Sequence, residues 1–249
     1  MSTNVPEHYT SLDPFLGLFQ TGLPCLMYHK IGPRPVRVRI KGLYVSPQLF
    51  EKQIAELAAA GFATPPFGQL PPETNGAKVL AFTFDDGFLN TFKWAMEPLA
   101  RHGLRGIQFL IADRIGQFNE WEVQHGEARE PLMDAGHIRE WLAAGHEIGA
   151  HTLTHPFLTR VSMREAREQV LSGKKKLEDM FGVAVRHFCY PYGDRNEAIR
   201  ALVEEAGFAT ACTTDFGVNN QATDPLELRR IMVRHQSISI KAIKARMAR

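Results

Sequence analysis

Three cysteines in 249 residues, Cys25, Cys189 and Cys212, are widely spaced and form no CxxC pair. Their scarcity excludes a disulfide-built scaffold and a structural zinc site made of thiolates. The chain also lacks a strong charge of either sign, since 29 basic and 27 acidic side chains leave +2 with neutral histidines. That balance gives no electrostatic reason for a nucleic-acid partner or a membrane-surface partner. No stretch approaches the roughly 20 consecutive apolar residues that a membrane span needs. Residues 1–21 hold Glu7 and Asp13 but no basic segment followed by an apolar block, so no secretory signal is visible. A cytoplasmic location is expected, the alternative being a chain given without its leader. Internal repeats and long low-complexity linkers are missing too. One domain over 23–249 is therefore expected, with 1–22 as an N-terminal extension.

What remains is the composition of an ordinary globular protein, 44% hydrophobic and 22% charged. Short apolar runs at 79–84, 106–111, 147–150, 186–190 and 209–213 lie between turn signals. Such runs suit strands buried on both faces of a parallel sheet. Amphipathic stretches separate them. Ser46-Pro47 offers an N-cap and a first-turn proline; Phe50, Ile54, Leu57 and Ala58 form one apolar face, and Gly61 ends the helix. Ser162-Met163-Arg164-Glu165 is a capping box opening a helix with Ala166, Val170 and Leu177 on its apolar face and Gly182 beyond its end. Lys174, Lys175 and Lys176 on that helix read as a solvated face rather than a polyanion contact. This alternation predicts an α/β fold with parallel strands, at a length where a barrel closes as one unit. Residues 113–134 show no clear element. Holding Trp121, Glu122 and His125, they are expected to form a rim over the barrel mouth that shapes a substrate groove.

Two clusters stand where predicted strands end. Thr83-Phe84-Asp85-Asp86-Gly87 places adjacent acids at a strand C-terminus. One carboxylate could cap the next helix, which leaves the second without a structural use. His151-Thr152-Leu153-Thr154-His155 follows the strand predicted to end at Ala150. Histidines four apart on one helical turn can aim both rings at one ion, although the spacing also arises by chance. One aspartate and two histidines would leave a coordination position open for water, as a catalytic metal requires. Strand C-termini are also where the active sites of parallel α/β barrels gather.

Both segments resemble the first two motifs of the polysaccharide deacetylases, carbohydrate esterase family four. Pro191-Tyr192-Gly193 stands where that family's third motif belongs. Cys25-Leu26-Met27-Tyr28-His29-Lys30-Ile31, followed by Leu43-Tyr44-Val45-Ser46, resembles the N-terminal segment of the branch that includes poly-N-acetylglucosamine deacetylases. The likeness runs from about residue 23 to residue 240. It implies a single-domain α/β fold, a distorted (β/α)7 TIM-like barrel, that removes an acetyl group from the nitrogen of an amino sugar in a glycan. It also implies Asp85 as general base and Asp86, His151 and His155 as ligands of a divalent metal, zinc with cobalt or nickel as alternatives. The backbone N–H of Tyr192 would hold the oxyanion. The division between the acids is physically sensible, because a metal-held carboxylate keeps little basicity while its neighbour can still take a proton.

An amine also needs a proton to leave. After Pro225 the chain offers only His235, in a context unlike the family's usual acid motif, whereas Leu26-Met27-Tyr28-His29 resembles it. The resemblance therefore assigns the acid to His29; a strand-end histidine buried for stability is the competing reading. Many relatives carry an arginine two residues before the third-motif proline, where this chain has Cys189. Leu228-Arg229-Arg230-Ile231 resembles a C-terminal element of the same branch, so Arg230 is a candidate replacement that would keep Asp85 ionised. A surface salt bridge competes with that reading. If the segment is a strand, Arg229 points to the opposite face. Cys189 itself reads as a small core residue. Two rivals to the deacetylase remain: a hydrolase of small non-sugar amides or imides, and a carbohydrate-binding pseudoenzyme. The full set of Asp85, Asp86, His151 and His155 argues against the latter, because a pure binder has no need for an open metal site.

Overall fold

A computed structural model describes residues 5–234 except 37, 72, 73 and 75. His235 lies outside the described residues. Seven parallel strands close into one barrel: β1 (Cys25–Tyr28), β4 (Ala81–Phe84), β5 (Gly106–Leu110), β6 (Glu147–Ala150), β7 (His187–Cys189), β8 (Thr210–Phe216) and β9 (Leu228–Met232). Two short strands, β2 (Lys30–Ile31) and β3 (Tyr44–Val45), pair beside the mouth. The ring closes where Leu26 and Met27 of β1 pair with Ile231 and Met232 of β9. Consecutive strands are parallel, so every crossover must return to the same end and every strand delivers its C-terminus to the same mouth.

Side-chain alternation, with both faces covered, explains why these strands are largely apolar. In β4, Phe82 and Phe84 join the outer layer under the helices, while Ala81 joins Cys25, Ile107, Phe109, Cys189 and Cys212 in the barrel interior. A seven-stranded barrel is narrow, and the three free cysteines are buried, two of them lining strands β7 and β8 as compact filling. Gly149 of β6 makes room as well. A Cβ there would stand 2.5 Å from the Phe109 ring and 2.8 Å from the His187 carbonyl.

The helices begin and end where the caps dictate. Ser46 Oγ accepts the Leu49 N–H at 3.2 Å and opens α2 (Pro47–Ala59). The barrel helices α3 (Leu89–Arg101), α5 (Ala135–Ala143), α6 (Met163–Phe181) and α7 (Glu197–Glu205) follow in order. Ser162 Oγ accepts from Glu165 N at the start of α6, and Gly182, at φ 66°, stops it in the left-handed conformation. Lys175 pairs with Asp179 and Lys176 with Asp113, so these two do face outward, whereas Lys174 is half-buried over the Phe208 ring and donates to the Ala206 carbonyl. N-terminal to β1, the side chains of Tyr9, Leu12, Phe15 and Phe19 are buried in the same outer core, and the Tyr9 N–H donates to the Met232 carbonyl.

Residues 113–134 hold more regular structure than the sequence shows. They contain a short helix, α4 (Glu120–Val123), and bridges pairing Phe118 with Pro131 and Phe88 with Leu132. Trp121, Leu132, Phe88 and Ile111 make a satellite core of their own. These apolar residues are too scattered along the chain to produce a periodic signal, which is why the sequence shows none. Among the described residues, no helix is long and apolar enough to cross a membrane.

Candidate active site

The C-terminal mouth collects the residues that the sequence marks. His29 follows β1, Asp85 and Asp86 follow β4, His151 follows β6, Pro191 to Gly193 follow β7, and Arg230 lies on β9. Backbone strain concentrates at the same place. Among the described residues, the non-glycine residues with positive φ are Asp86 (72°), Thr152 (68°), His155 (70°) and Tyr192 (59°). Such conformations persist only where surrounding structure enforces them, and they gather at functional sites.

That strain also corrects the route by which the histidines meet. No helical turn carries them: residues 151–155 form an irregular loop. Left-handed residues Thr152 and His155 fold the chain back, and Thr152 Oγ1 accepts the His155 N–H at 3.0 Å. Gln169 of α6 pins this loop by accepting the N–H groups of Leu153 and Thr154. The result is a 3.1 Å separation between the Nε2 atoms of His151 and His155.

Asp86 Oδ1 lies 3.4 Å from Nε2 of His151 and 3.3 Å from Nε2 of His155. His151 Nδ1 is 2.6 Å from the Cys189 carbonyl, which can only accept, so Nδ1 carries the proton and Nε2 presents its lone pair inward. Asp86 Oδ1 is buried and has no hydrogen-bond partner. Two imidazole Nε2 atoms and an orphaned carboxylate oxygen thus converge in a buried space. One proton cannot satisfy all three, whereas a divalent cation can, so the donor set fits a metal with an open position. Burial alone would raise the Asp86 carboxyl, but the two histidines beside it hold it well below the usual carboxylate range. Burial pushes His155 down to about 3 against the opposing pull of Asp86.

Asp85 faces the other way. Arg230 forks onto it, Nη1 to Oδ1 at 2.7 Å and Nη2 to Oδ2 at 2.8 Å. The guanidinium also donates to the Thr213 carbonyl at 2.7 Å, Thr83 Oγ1 at 3.1 Å and Cys189 Sγ at 3.2 Å, so each of its five N–H groups has an acceptor. Arg230 is almost fully buried, whereas Arg229 is exposed on the opposite face of the strand. Asp85, His151 and Cys189 also lie close enough to suggest a second metal group, but the guanidinium occupies that position. Burial would raise Asp85, and Arg230's charge and hydrogen bonds override it and lower the carboxyl. His29 Nε2 stands 3.8 Å from Asp85 Oδ2; burial lowers its pKa while Asp85 and Asp86 oppose the shift.

Above these groups lies a cleft of about 360 Å³ lined by Arg114, Trp121, Gln124, Thr154, Phe157 and Tyr192. Tyr192 is stacked on Phe157 at 3.9 Å and meets the His155 ring edge-on at 4.5 Å. The Trp121 ring also packs against His155, tilted by 35° at 5.2 Å. A larger cavity of about 440 Å³ beside Arg195 and Asp215 contains none of His29, Asp85, Asp86, His151, His155 and Arg230, so size does not identify the site. Thr83 and the Thr213 carbonyl, which complete the cradle of Arg230, carry no sequence signal beyond inward alternation on their strands. Phe157 and the buried Lys30–Glu122 pair beside the cleft also escape sequence reasoning.

Comparison with known proteins gives a consistent result. The family described as polysaccharide deacetylase matches residues 73–211, more than half of the chain. YxkH of Bacillus subtilis is 26% identical over 220 residues, covering 85% of this chain and 71% of its own. A chitooligosaccharide deacetylase of Sinorhizobium fredii is 30% identical over 142 residues, 56% of this chain and 59% of that protein. Several curated relatives are thus matched over less than two thirds of their own length. The solved structure of IcaB from Ammonifex degensii superposes with a TM-score of 0.74 at 24% identity, covering 90% of this chain and 96% of that one. The last likeness establishes the fold.

Proposed function

The chain belongs to the polysaccharide deacetylase family, and from that premise we propose that it hydrolyses the N-acetyl group of N-acetylglucosamine units in a polysaccharide or glycan intermediate. The observation that carries the reading is the orphaned, buried Asp86 oxygen facing the imidazole nitrogens of His151 and His155, with His155 itself lining an open, aromatic-walled cleft. Asp86, His151 and His155 would hold the metal, and their mixed nitrogen and oxygen donors suit zinc, with cobalt or nickel as alternatives. When bound, the ion supplies Lewis-acid polarisation of the acetamide carbonyl and makes water acidic enough to be activated near neutral pH.

The chain's own groups do the rest. Asp85 takes the proton of the attacking water. The Arg230 fork keeps its carboxylate ionised and fixes its direction, at the expense of some basicity. The backbone N–H of Tyr192 stabilises the negative charge that develops on the carbonyl oxygen. His29, across from Asp85, gives its proton to the departing nitrogen, so that a neutral amine leaves rather than an amide anion. Trp121 and Tyr192, which line the cleft with His155, present apolar ring surface to the sugar.

The reading is tested with zinc-reconstituted protein and a panel of acetylated oligosaccharides and small amides. Acetate release from the oligosaccharides supports it. Hydrolysis confined to small amides would assign the fold to a different substrate class.

A further inference from the structure

Lys30 is completely buried, a rare state for a lysine. Its Nζ donates to Glu122 Oε2 at 2.6 Å and sits 4.6 Å from the centre of the Phe88 ring and 5.0 Å from that of Tyr44. Four separate pieces of chain therefore meet at one ammonium group: β2, β3, the residue after Asp85-Asp86-Gly87, and α4. Glu122 Oε2 also accepts from Asn119 Nδ2 at 2.7 Å, so the carboxylate is held on both sides. Around this centre, Glu130 accepts the Tyr44 hydroxyl and Glu127 accepts the Ile40 N–H, which tie residues 40–44 to the stretch just after α4.

Glu122 is the chain neighbour of Trp121, whose ring packs against Phe88 and His155 and walls the cleft. Burying an ion pair contributes little net stability compared with well-packed apolar residues, so a gain in defined position is the more informative reading of its presence. We propose that Lys30 is a positioning residue that, through Glu122, anchors α4 and sets Trp121 as the wall receiving sugar units beside the acetamide. Being fully buried, Lys30 touches no substrate itself. The inference rests on the deacetylase reading for its substrate and on the geometry alone for its latch.

The test compares Lys30→Met, Glu122→Gln and the double variant in the full chain. Amide hydrogen exchange over residues 117–132 is expected to accelerate about tenfold in each single variant, with the barrel strands unchanged. KM for acetylated chito-oligomers is expected to rise about tenfold with kcat within about threefold, and the double variant to be no worse than Lys30→Met, since both act through one pair. Unchanged exchange over residues 117–132 would overturn the latch. A fall in kcat at constant KM would overturn the positioning role by placing Lys30's effect on its neighbour His29. If Lys30→Met does not fold, Glu122→Gln carries both readouts. If wild-type protein releases no acetate, the deacetylase reading fails, while the exchange result still decides whether the pair anchors α4.

Discussion

Asp85 and Asp86 are adjacent in sequence, yet the fold sends their carboxylates to opposite partners. Asp86 turns at φ 72° toward the histidines, and Asp85 meets Arg230. The two substitutions should therefore separate. Asp86→Ala and His151→Ala are expected to lose bound zinc, measured as metal per chain after dialysis, whereas Asp85→Asn should retain about one ion. Equal zinc loss in all three would contradict the division of labour. Arg230 gives a third prediction. Arg230→Met strands a buried carboxylate and should cost on the order of 3 kcal/mol in urea unfolding at pH 7. The sign follows from the pair: Arg230 lowers the Asp85 pKa, so its stabilisation is present above the unfolded carboxylate value and is lost as pH falls through the folded value. The penalty of Arg230→Met should accordingly shrink in acid. A stability curve parallel to wild type between neutral and acid pH would show that the fork does not act this way.

Five of the seven barrel strands are legible in the sequence because burial on both faces leaves short, mostly apolar runs, as in Ala81–Phe84. By contrast, β1 and β9 are signalled only by the family resemblance, and β8 runs on to Phe216, beyond its expected end. Caps are legible for a different reason, since Ser46 and Ser162 act through hydrogen bonds within a few residues. Two things are not legible. The turn that brings His155 to His151 depends on left-handed backbone at non-glycine residues, which local pattern does not announce. The packing of Trp121 depends on Phe88, Ile111 and Leu132, contacts made only once the barrel exists. Arg230 is intermediate. Strand alternation separates it from Arg229, but its arrival at Asp85 requires β9 to close the ring on β1. At this scale Gly149→Ala is the decisive variant, because its Cβ would enter the Phe109 ring and approach a backbone carbonyl. A loss of roughly 1–3 kcal/mol in urea unfolding is expected. An unchanged midpoint would mean that the barrel interior has slack.

For the molecule as a whole, two histidines away from the site link stability to pH. His146 is stacked on Trp141 at 4.0 Å and its Nδ1 accepts the Gly106 N–H, which a proton would abolish. Burial holds both His146 and His187 down at about 4. Their neutral forms therefore stabilise the fold fully above the unfolded value near 6.5, and the contribution is lost as pH falls toward 4. Between pH 7 and 5 that is roughly 2 kcal/mol for each histidine. His146→Asn should flatten the dependence of the urea midpoint over this window, and an unchanged slope would refute the assignment. The near-balanced charge of +2 acquires a meaning at the same scale, since a neutral acetylated glycan needs no basic surface. The most direct measurement is acetate and free amine released per bound zinc from acetylated chito-oligomers, wild type beside Asp85→Asn at equal metal content. The structure leads us to expect steady turnover by the wild type and a loss of at least about a hundredfold in the variant. Equal turnover by the two, or none by zinc-loaded wild type, would contradict the proposed chemistry.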